Sequence, residues 1–296
     1  MTTSPLFQGL GVALITPFQT NGSVDYAALE RLVQWQMQEG TDFLCVLGTT
    51  AETPCLAEAE KKKIVDTVRR ITAGKMPLLL GAGGNNTAAV CDNLRKTDFT
   101  GIDGVLIVTP YYNKPTQSGL YAHFFAVAEA SPVPVVLYNV PGRTGVNLTA
   151  ETCLRLAEDC PNVVAVKEAS GDIEQIRTII KEAPAGFSVL SGDDGLTKDA
   201  ILAGAKGVIS VVGNAYPSAF GRLTHAAMDG NAAEAERLDA IFQGVYKPLF
   251  ADGNPAGVKA LLAARGVIEN VLRLPLVPAT ADTTDKLRAF DAQTNF

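Results

Sequence analysis

Histidine is nearly missing from this sequence, and cysteine occurs in a number that cannot fully pair. The two histidines, His123 and His225, stand far apart, which sets aside a histidine-rich metal centre. The five cysteines (Cys45, Cys55, Cys91, Cys153 and Cys160) include no Cys-x-x-Cys pair, so neither a disulfide framework nor a zinc knuckle is expected. No apolar run approaches the roughly 20 residues that span a bilayer. The opening "MTTSPLFQGLG" lacks the basic start and apolar core of a secretion signal. The expectation is a cytoplasmic protein without a membrane partner. Long basic runs are missing too. Lysine and arginine number 25 against 31 aspartates and glutamates, a formal net charge of -6, which argues against a nucleic-acid partner.

What the chain does have is apolar residues: 47% of 296 positions, enough for a large core. Eight short β-rich runs recur: "GVALITPF" (11–18), "FLCVLGTT" (43–50), "MPLLLGAGG" (76–84), "GVLIVTPYY" (104–112), "VPVVLYNVP" (133–141), "NVVAVKEAS" (162–170), "FSVLSGDDG" (187–195) and "GVISVVGNA" (207–215). They are almost continuously apolar rather than alternating, the pattern of parallel strands covered on both faces. Helical periodicity fills the gaps, as in 25–40, where Asp25 is the expected N-cap and Gly40 the expected C-cap. The spacing predicts a (β/α)8 TIM barrel over 1–230, followed by a small helical extension over 231–296 packed on it, with breaks near Gly230, Pro248 and Pro255. A doubly wound open sheet is the rival. It is weakened because no GxGxxG follows the first run, and "GAGGNN" (81–86) has the wrong spacing.

Barrel chemistry gathers at the C-terminal ends of the strands. There lie Thr16 and Pro17, "GTTAE" (48–52), "PYYN" (110–113), "YNVPGRTG" (138–145), Lys167, "SGDD" (191–194) and "GN" (213–214). Lys167 ends an apolar run. Either it snorkels or pairs with a carboxylate such as Glu168, or it is a Schiff-base nucleophile, since burial favours the neutral form of an amine. Tyr138 ends the preceding run. Neighbouring strands lie about 4.8 Å apart, so its phenol either reaches the lysine nitrogen or packs in the core. Thr49 and Thr50 follow Gly48, as a small carboxylate nest or as ordinary loop caps. Arg143 has the fork that suits a planar carboxylate, or it is a surface residue. Asp193 and Asp194 read as helix caps rather than metal ligands, and they oppose a phosphate site. Tyr111 and Tyr112 mark either an interface or a pocket wall.

"GTTAE", "VTPYYNKPTQSGLYAHF", "LYNVPGRTG", "VVAVKEASGD", "LSGDD", "GVISV" and "LRLPLVP", in this order from about residue 8 to about residue 278, resemble the dihydrodipicolinate synthases (4-hydroxy-tetrahydrodipicolinate synthases), of the N-acetylneuraminate lyase superfamily. The resemblance implies a homotetrameric Schiff-base lyase without a cofactor or metal. It would join pyruvate to L-aspartate 4-semialdehyde, opening lysine and diaminopimelate biosynthesis. It implies Lys167 as the imine-forming residue, and Tyr138, Thr49 and Tyr112 as a proton relay, with Tyr112 supplied by a neighbouring subunit. Thr50 and Ile209 would contact the pyruvate portion, Arg143 the semialdehyde carboxylate, and Gly192 would add a backbone contact. The family's usual "GTTGE" here reads "GTTAE". Alanine tolerates positive φ poorly, so a family glycine that needs it would force a different turn. At the family's lysine-inhibitor cleft Asn85 and Tyr111 match and Thr53 nearly matches, but Ala89 replaces a glutamate, and Glu58 and Lys61 replace two histidines. Weak inhibition by L-lysine is the expectation.

Other readings share the lysine. A sugar-acid aldolase, such as an N-acetylneuraminate lyase or a 2-keto-3-deoxy sugar-acid aldolase, would differ in the aldehyde pocket, where Arg143 favours a short carboxylated aldehyde. A pyridoxal-phosphate barrel needs a phosphate cradle, which the 193–194 acids oppose. A non-enzymatic binding barrel would have to keep the lysine, tyrosine and threonines unused.

Overall fold

The computed structural model describes residues 5–294, so Met1–Ser4 of the opening segment lie outside the described residues. Eight strands form one closed parallel barrel in sequence order: β1 (Gly9–Ala13), β2 (Phe43–Val46), β3 (Leu78–Gly81), β4 (Gly104–Val108), β5 (Val135–Asn139), β6 (Val163–Glu168), β7 (Ser188–Ser191) and β8 (Gly207–Ser210), with β8 closing on β1. Around and between them run α1 (Tyr26–Gln38), α2 (Glu58–Thr72), α3 (Thr87–Lys96), α4 (Gln117–Ala130), the single turn α5 (Pro141–Thr144), α6 (Ala150–Asp159), α7 (Ile173–Glu182), α8 (Thr197–Leu202) and α9 (Pro217–Met228). Then follow α10 (Ala232–Ala251), α11 (Ala256–Ala264) and α12 (Ala281–Gln293). The expected eight-stranded barrel and C-terminal helices are therefore present.

Every strand is shorter than the apolar run that announced it. The excess lies mostly at the C-terminal ends, where the chain leaves the sheet to build loops. The pleat divides the remainder. On β2, Phe43 and Cys45 point into the barrel, while Leu44 and Val46 join the layer beneath the helices. Phe7 and Phe43 pack with ring centroids 5.3 Å apart and plug the N-terminal end of the barrel. Gly11 makes room for that plug: a Cβ there would stand 2.2 Å from the Phe43 ring.

One irregularity sets the site. Val135 of β5 faces Val163 of β6, but Val136 faces Ala165, so Val164 is an extra residue on β6. Without it the register would set Tyr138 beside Val166 and turn Lys167 outward. With it Tyr138 lies beside Lys167, and both face the interior.

The helix ends follow local chemistry. Asp25 caps α1 by accepting from the Ala28 amide (2.9 Å), and Gly40 takes the left-handed φ of 82° just past its end. Gly230 and Pro255 separate helices as expected, but Pro248 does not. It lies inside α10, where Phe242, Val245 and Leu249 are buried in the core. A proline removes one backbone donor. Here the buried face of the helix outweighs that loss.

Candidate active site

The C-terminal end of the barrel holds two joined cavities. The inner one, about 180 Å³, is lined by Thr49, Thr50, Tyr138, Val140, Arg143, Lys167, Ala169, Gly192, Asp193, Val211, Phe250 and Asn254. An outer one of about 420 Å³ shares Thr49, Tyr138, Val140 and Arg143 and adds Leu47, Thr53, Lys61 and Tyr111, among others.

Lys167 is only 6% exposed, and its Nζ lies 4.4 Å from the centre of the Tyr138 ring. It does not pair with Glu168. That carboxylate points to the other face of β6 and accepts from Asn139 Nδ2 (3.0 Å), Gln175 Nε2 (3.0 Å) and the Ser170 amide (2.8 Å). Burial pushes the Glu168 carboxyl up, and these donors oppose the shift. Cys45, also buried in the barrel interior, has its thiol pushed up to about 11 by burial, with the Lys167 charge acting the other way.

Gly192 explains how the lysine fits. Its amide donates to the Glu168 carbonyl (2.7 Å), and a Cβ there would stand 3.0 Å from Lys167 Cε. The glycine leaves the space through which the lysine stem passes. Thr49 and Thr50 sit on a 3-10 turn directly after β2. The Thr50 hydroxyl accepts from Asn254 Nδ2 (2.8 Å), and Thr16 Oγ1 holds the Ala51 carbonyl (2.8 Å). Ala51 is not the residue with positive φ. Glu52 is, at 55°, so the alanine of "GTTAE" does not strain the turn. Arg143, on α5, faces both cavities and donates to the Asn254 carbonyl (3.4 Å).

Asp193 caps the turn after β7, accepting from the Gly195 amide (3.0 Å), and also lines the inner cavity. Asp194 is buried and holds the end of β8 by accepting from Ser210 Oγ (2.5 Å) and the amides of Val211 (3.0 Å) and Val212 (3.1 Å). Burial raises its carboxyl to about 6. Capping, rather than metal binding, was the expected role for this pair. Among the described residues no group of three or more His, Cys, Asp and Glu side chains is placed to hold a metal.

Lys167, Tyr138, Thr49, Thr50, Arg143 and Gly192 thus converge on one cavity, whereas two other candidates do not. Ile209 is fully buried inside the barrel, and Val211 beyond it lines the cavity. Tyr112 is 90% exposed, at a left-handed φ of 74°, and lines neither cavity. Reading the sequence missed Asn254, Phe250 and Val211. Asn254 is the most informative of these, because its side-chain carbonyl Oδ1 is buried without a hydrogen-bond partner among the described residues. No local pattern around "DGNPAG" marks it. Its place depends on how the helices after the barrel fold back.

The arrangement is a buried amine beside a phenol, two hydroxyls on a turn, and a guanidinium at the mouth. It suits capture of a small carbonyl compound that bears a carboxylate.

The family model described as the dihydrodipicolinate synthetase family matches residues 6–293. The chain is 57% identical over 282 residues to the 4-hydroxy-tetrahydrodipicolinate synthase of Phocaeicola vulgatus, covering 95% of each chain. It is similar to the solved structure of a dihydrodipicolinate synthase from Thermotoga maritima, with 43% identity, a TM-score of 0.95, and coverage of 97% of this chain and 98% of that one. It is equally similar to a structure described as the first monomeric dihydrodipicolinate synthase variant, with 44% identity, a TM-score of 0.95 and 97% of each chain covered.

Proposed function

The chain belongs to the dihydrodipicolinate synthetase family, and from that premise we propose that it condenses pyruvate with L-aspartate 4-semialdehyde to 4-hydroxy-tetrahydrodipicolinate. Lys167 Nζ adds to the keto carbon of pyruvate, and the keto oxygen leaves as water. The imine loses a methyl proton and becomes an enamine, whose carbon attacks the aldehyde carbon of the second substrate. The amine of that substrate then displaces Lys167 and closes the ring. The observation that carries this reading is the buried Lys167 level with Tyr138, in a cavity with Arg143 at its mouth.

Tyr138 and Thr49 move protons at the lysine nitrogen, and Tyr112 of a neighbouring copy completes the relay. Support for that last role is the exposed, left-handed Tyr112, which lines neither cavity of its own chain. Thr50 and Ile209 contact the pyruvate portion, Arg143 holds the semialdehyde carboxylate, and Gly192 contributes its backbone. The homotetramer, the division at residue 230 and the cytoplasmic location belong to the same reading. Among the described residues no helix is long and apolar enough to cross a membrane.

The sugar-acid aldolases of the superfamily are the less favoured reading, because the inner cavity is small and its mouth carries a guanidinium. A coupled turnover assay with pyruvate and a panel of aldehydes tests the choice. Aspartate semialdehyde should be the preferred partner, and preference for N-acetylmannosamine or a neutral sugar aldehyde would overturn it.

A further inference from the structure

The threonine turn has few bonds of its own. Ala51 N–H reaches the Gly48 carbonyl at 3.2 Å, and Glu52 N–H reaches the Thr49 carbonyl at 3.1 Å. Thr53 Oγ1 also bonds the Gly48 carbonyl (2.8 Å) and Thr16 Oγ1 the Ala51 carbonyl (2.8 Å), but among the described residues none of these bonds reaches the Thr49 or Thr50 hydroxyl. Glu52 follows immediately in a left-handed conformation (φ 55°, ψ 35°), which a side chain with a Cβ adopts only under constraint. Its carboxylate is completely buried and fully engaged. Oε1 accepts from Lys259 Nζ at 2.5 Å, and Oε2 accepts from the Arg273 amide at 2.9 Å. Lys259, equally buried on α11, also donates to the Val271 carbonyl (3.0 Å) and lies 4.1 Å over the Phe18 ring. Five positions earlier on the same stretch of chain, Asn254 donates to Thr50. The start of α11 therefore grips the turn on both sides, at Thr50 through an amide and at Glu52 through an ion pair.

Replacing a buried ion pair with apolar side chains is often neutral or stabilising, so bulk stability is a poor reason to keep one. What such a pair supplies is short, directional, charge-assisted bonding. We propose that Glu52 and Lys259 are positioning residues that hold Thr49 and Thr50 in register with Lys167, making the C-terminal helices part of the pyruvate site. This rests on the reading of the threonines as groups that handle pyruvate. A reacting group displaced by about 1 Å can cost roughly 100-fold in rate.

Three variants, and a Thr49→Val background, test it. Glu52→Gln keeps the shape and removes the charge. Lys259→Met removes the other charge. The double variant removes both, and so spares the fold an unpaired buried ion. The expected result is a loss of roughly 10- to 100-fold in kcat/KM for pyruvate, with the KM for aspartate semialdehyde unchanged. The double variant should regain the wild-type melting temperature without regaining activity. In a Thr49→Val background, Glu52→Gln should cost less than about threefold, because coupled residues are not additive. A double variant with wild-type stability and wild-type kcat/KM overturns the proposal, as does full additivity with Thr49→Val. If instead Thr49→Val alone leaves pyruvate kinetics untouched, the reading of the threonines fails.

Discussion

Adding a single methyl group at Gly192 tests how closely the lysine is held. A Cβ there would stand 3.0 Å from Lys167 Cε, 2.7 Å from Ala169 Cβ and 3.1 Å from the Glu168 carbonyl oxygen. Gly192 is not among the positive-φ glycines, so the backbone accepts alanine without strain and the effect is one of space alone. Carbon atoms pack best at about 3.5–4.0 Å, so the lysine stem must shift by roughly 0.5–1 Å. Overpacking of this kind costs about 1–3 kcal/mol of stability, and a displaced reacting group costs up to roughly 100-fold in rate. Gly192→Ala should therefore lower both the melting temperature and the rate of imine formation with pyruvate. The closest contact is with Ala169, whose removal relieves crowding but not the contact with the lysine. Ala169→Gly in the same chain should recover most of the stability and little of the rate. Full recovery of both by Ala169→Gly would refute the reasoning, and so would a Gly192→Ala enzyme of normal stability and normal rate.

Arg143→Ala should lower kcat/KM for aspartate semialdehyde roughly 10- to 150-fold, the worth of one charge-assisted hydrogen bond, while imine formation with pyruvate stays nearly unchanged; equal losses in both would assign the arginine elsewhere. Hydrogen bonding to Arg273 lowers the Glu60 carboxyl to about 2. A depressed folded-state value adds stability that is fully present above the ordinary carboxylate range near 4.5 and is lost as pH falls through 2. Glu60→Gln should remove part of that acid dependence in pH-dependent melts, and identical acid profiles would contradict it. Asp194→Asn keeps an oxygen for the Val211 and Val212 amides but sets an NH2 against Ser210 Oγ, which already accepts from the Gly213 amide (2.8 Å), and should cost about 1–3 kcal/mol in denaturant unfolding; an unchanged midpoint would remove its structural role. L-lysine should inhibit weakly. Ala89 offers no carboxylate to an incoming ammonium, and the Glu58 carboxylate is already engaged at 2.7 Å by Lys61, which lines the outer cavity. Strong inhibition at sub-millimolar concentration would contradict this.

The barrel was legible because parallel strands covered on both faces must be apolar throughout, and eight such runs have few other solutions. Lys167 and Tyr138 stood out for the same reason, as polar groups at the ends of apolar runs. Their adjacency was less visible. It depends on Val164, an extra residue that reads in the sequence as one more valine in "NVVAVKEAS". The Ala51 substitution raised a backbone question that the structure moves one residue on, to Glu52. Pro248 looked like a helix end by local rule, and tertiary burial of its neighbours overrides that rule. Asn254 and Lys259 were out of reach because their contacts with Thr50 and Glu52 join segments about 200 positions apart, 204 and 207 for these two bonds. No periodicity reports a contact of that range.

Covalent capture at Lys167 is the most direct test of the whole account. Treating the enzyme with pyruvate and borohydride, followed by peptide mass analysis, should place a single reduced pyruvate adduct on the peptide that contains Lys167. Lys167→Ala should carry none while keeping the wild-type fold. An adduct on any other lysine, or none on the wild-type enzyme, would contradict the account.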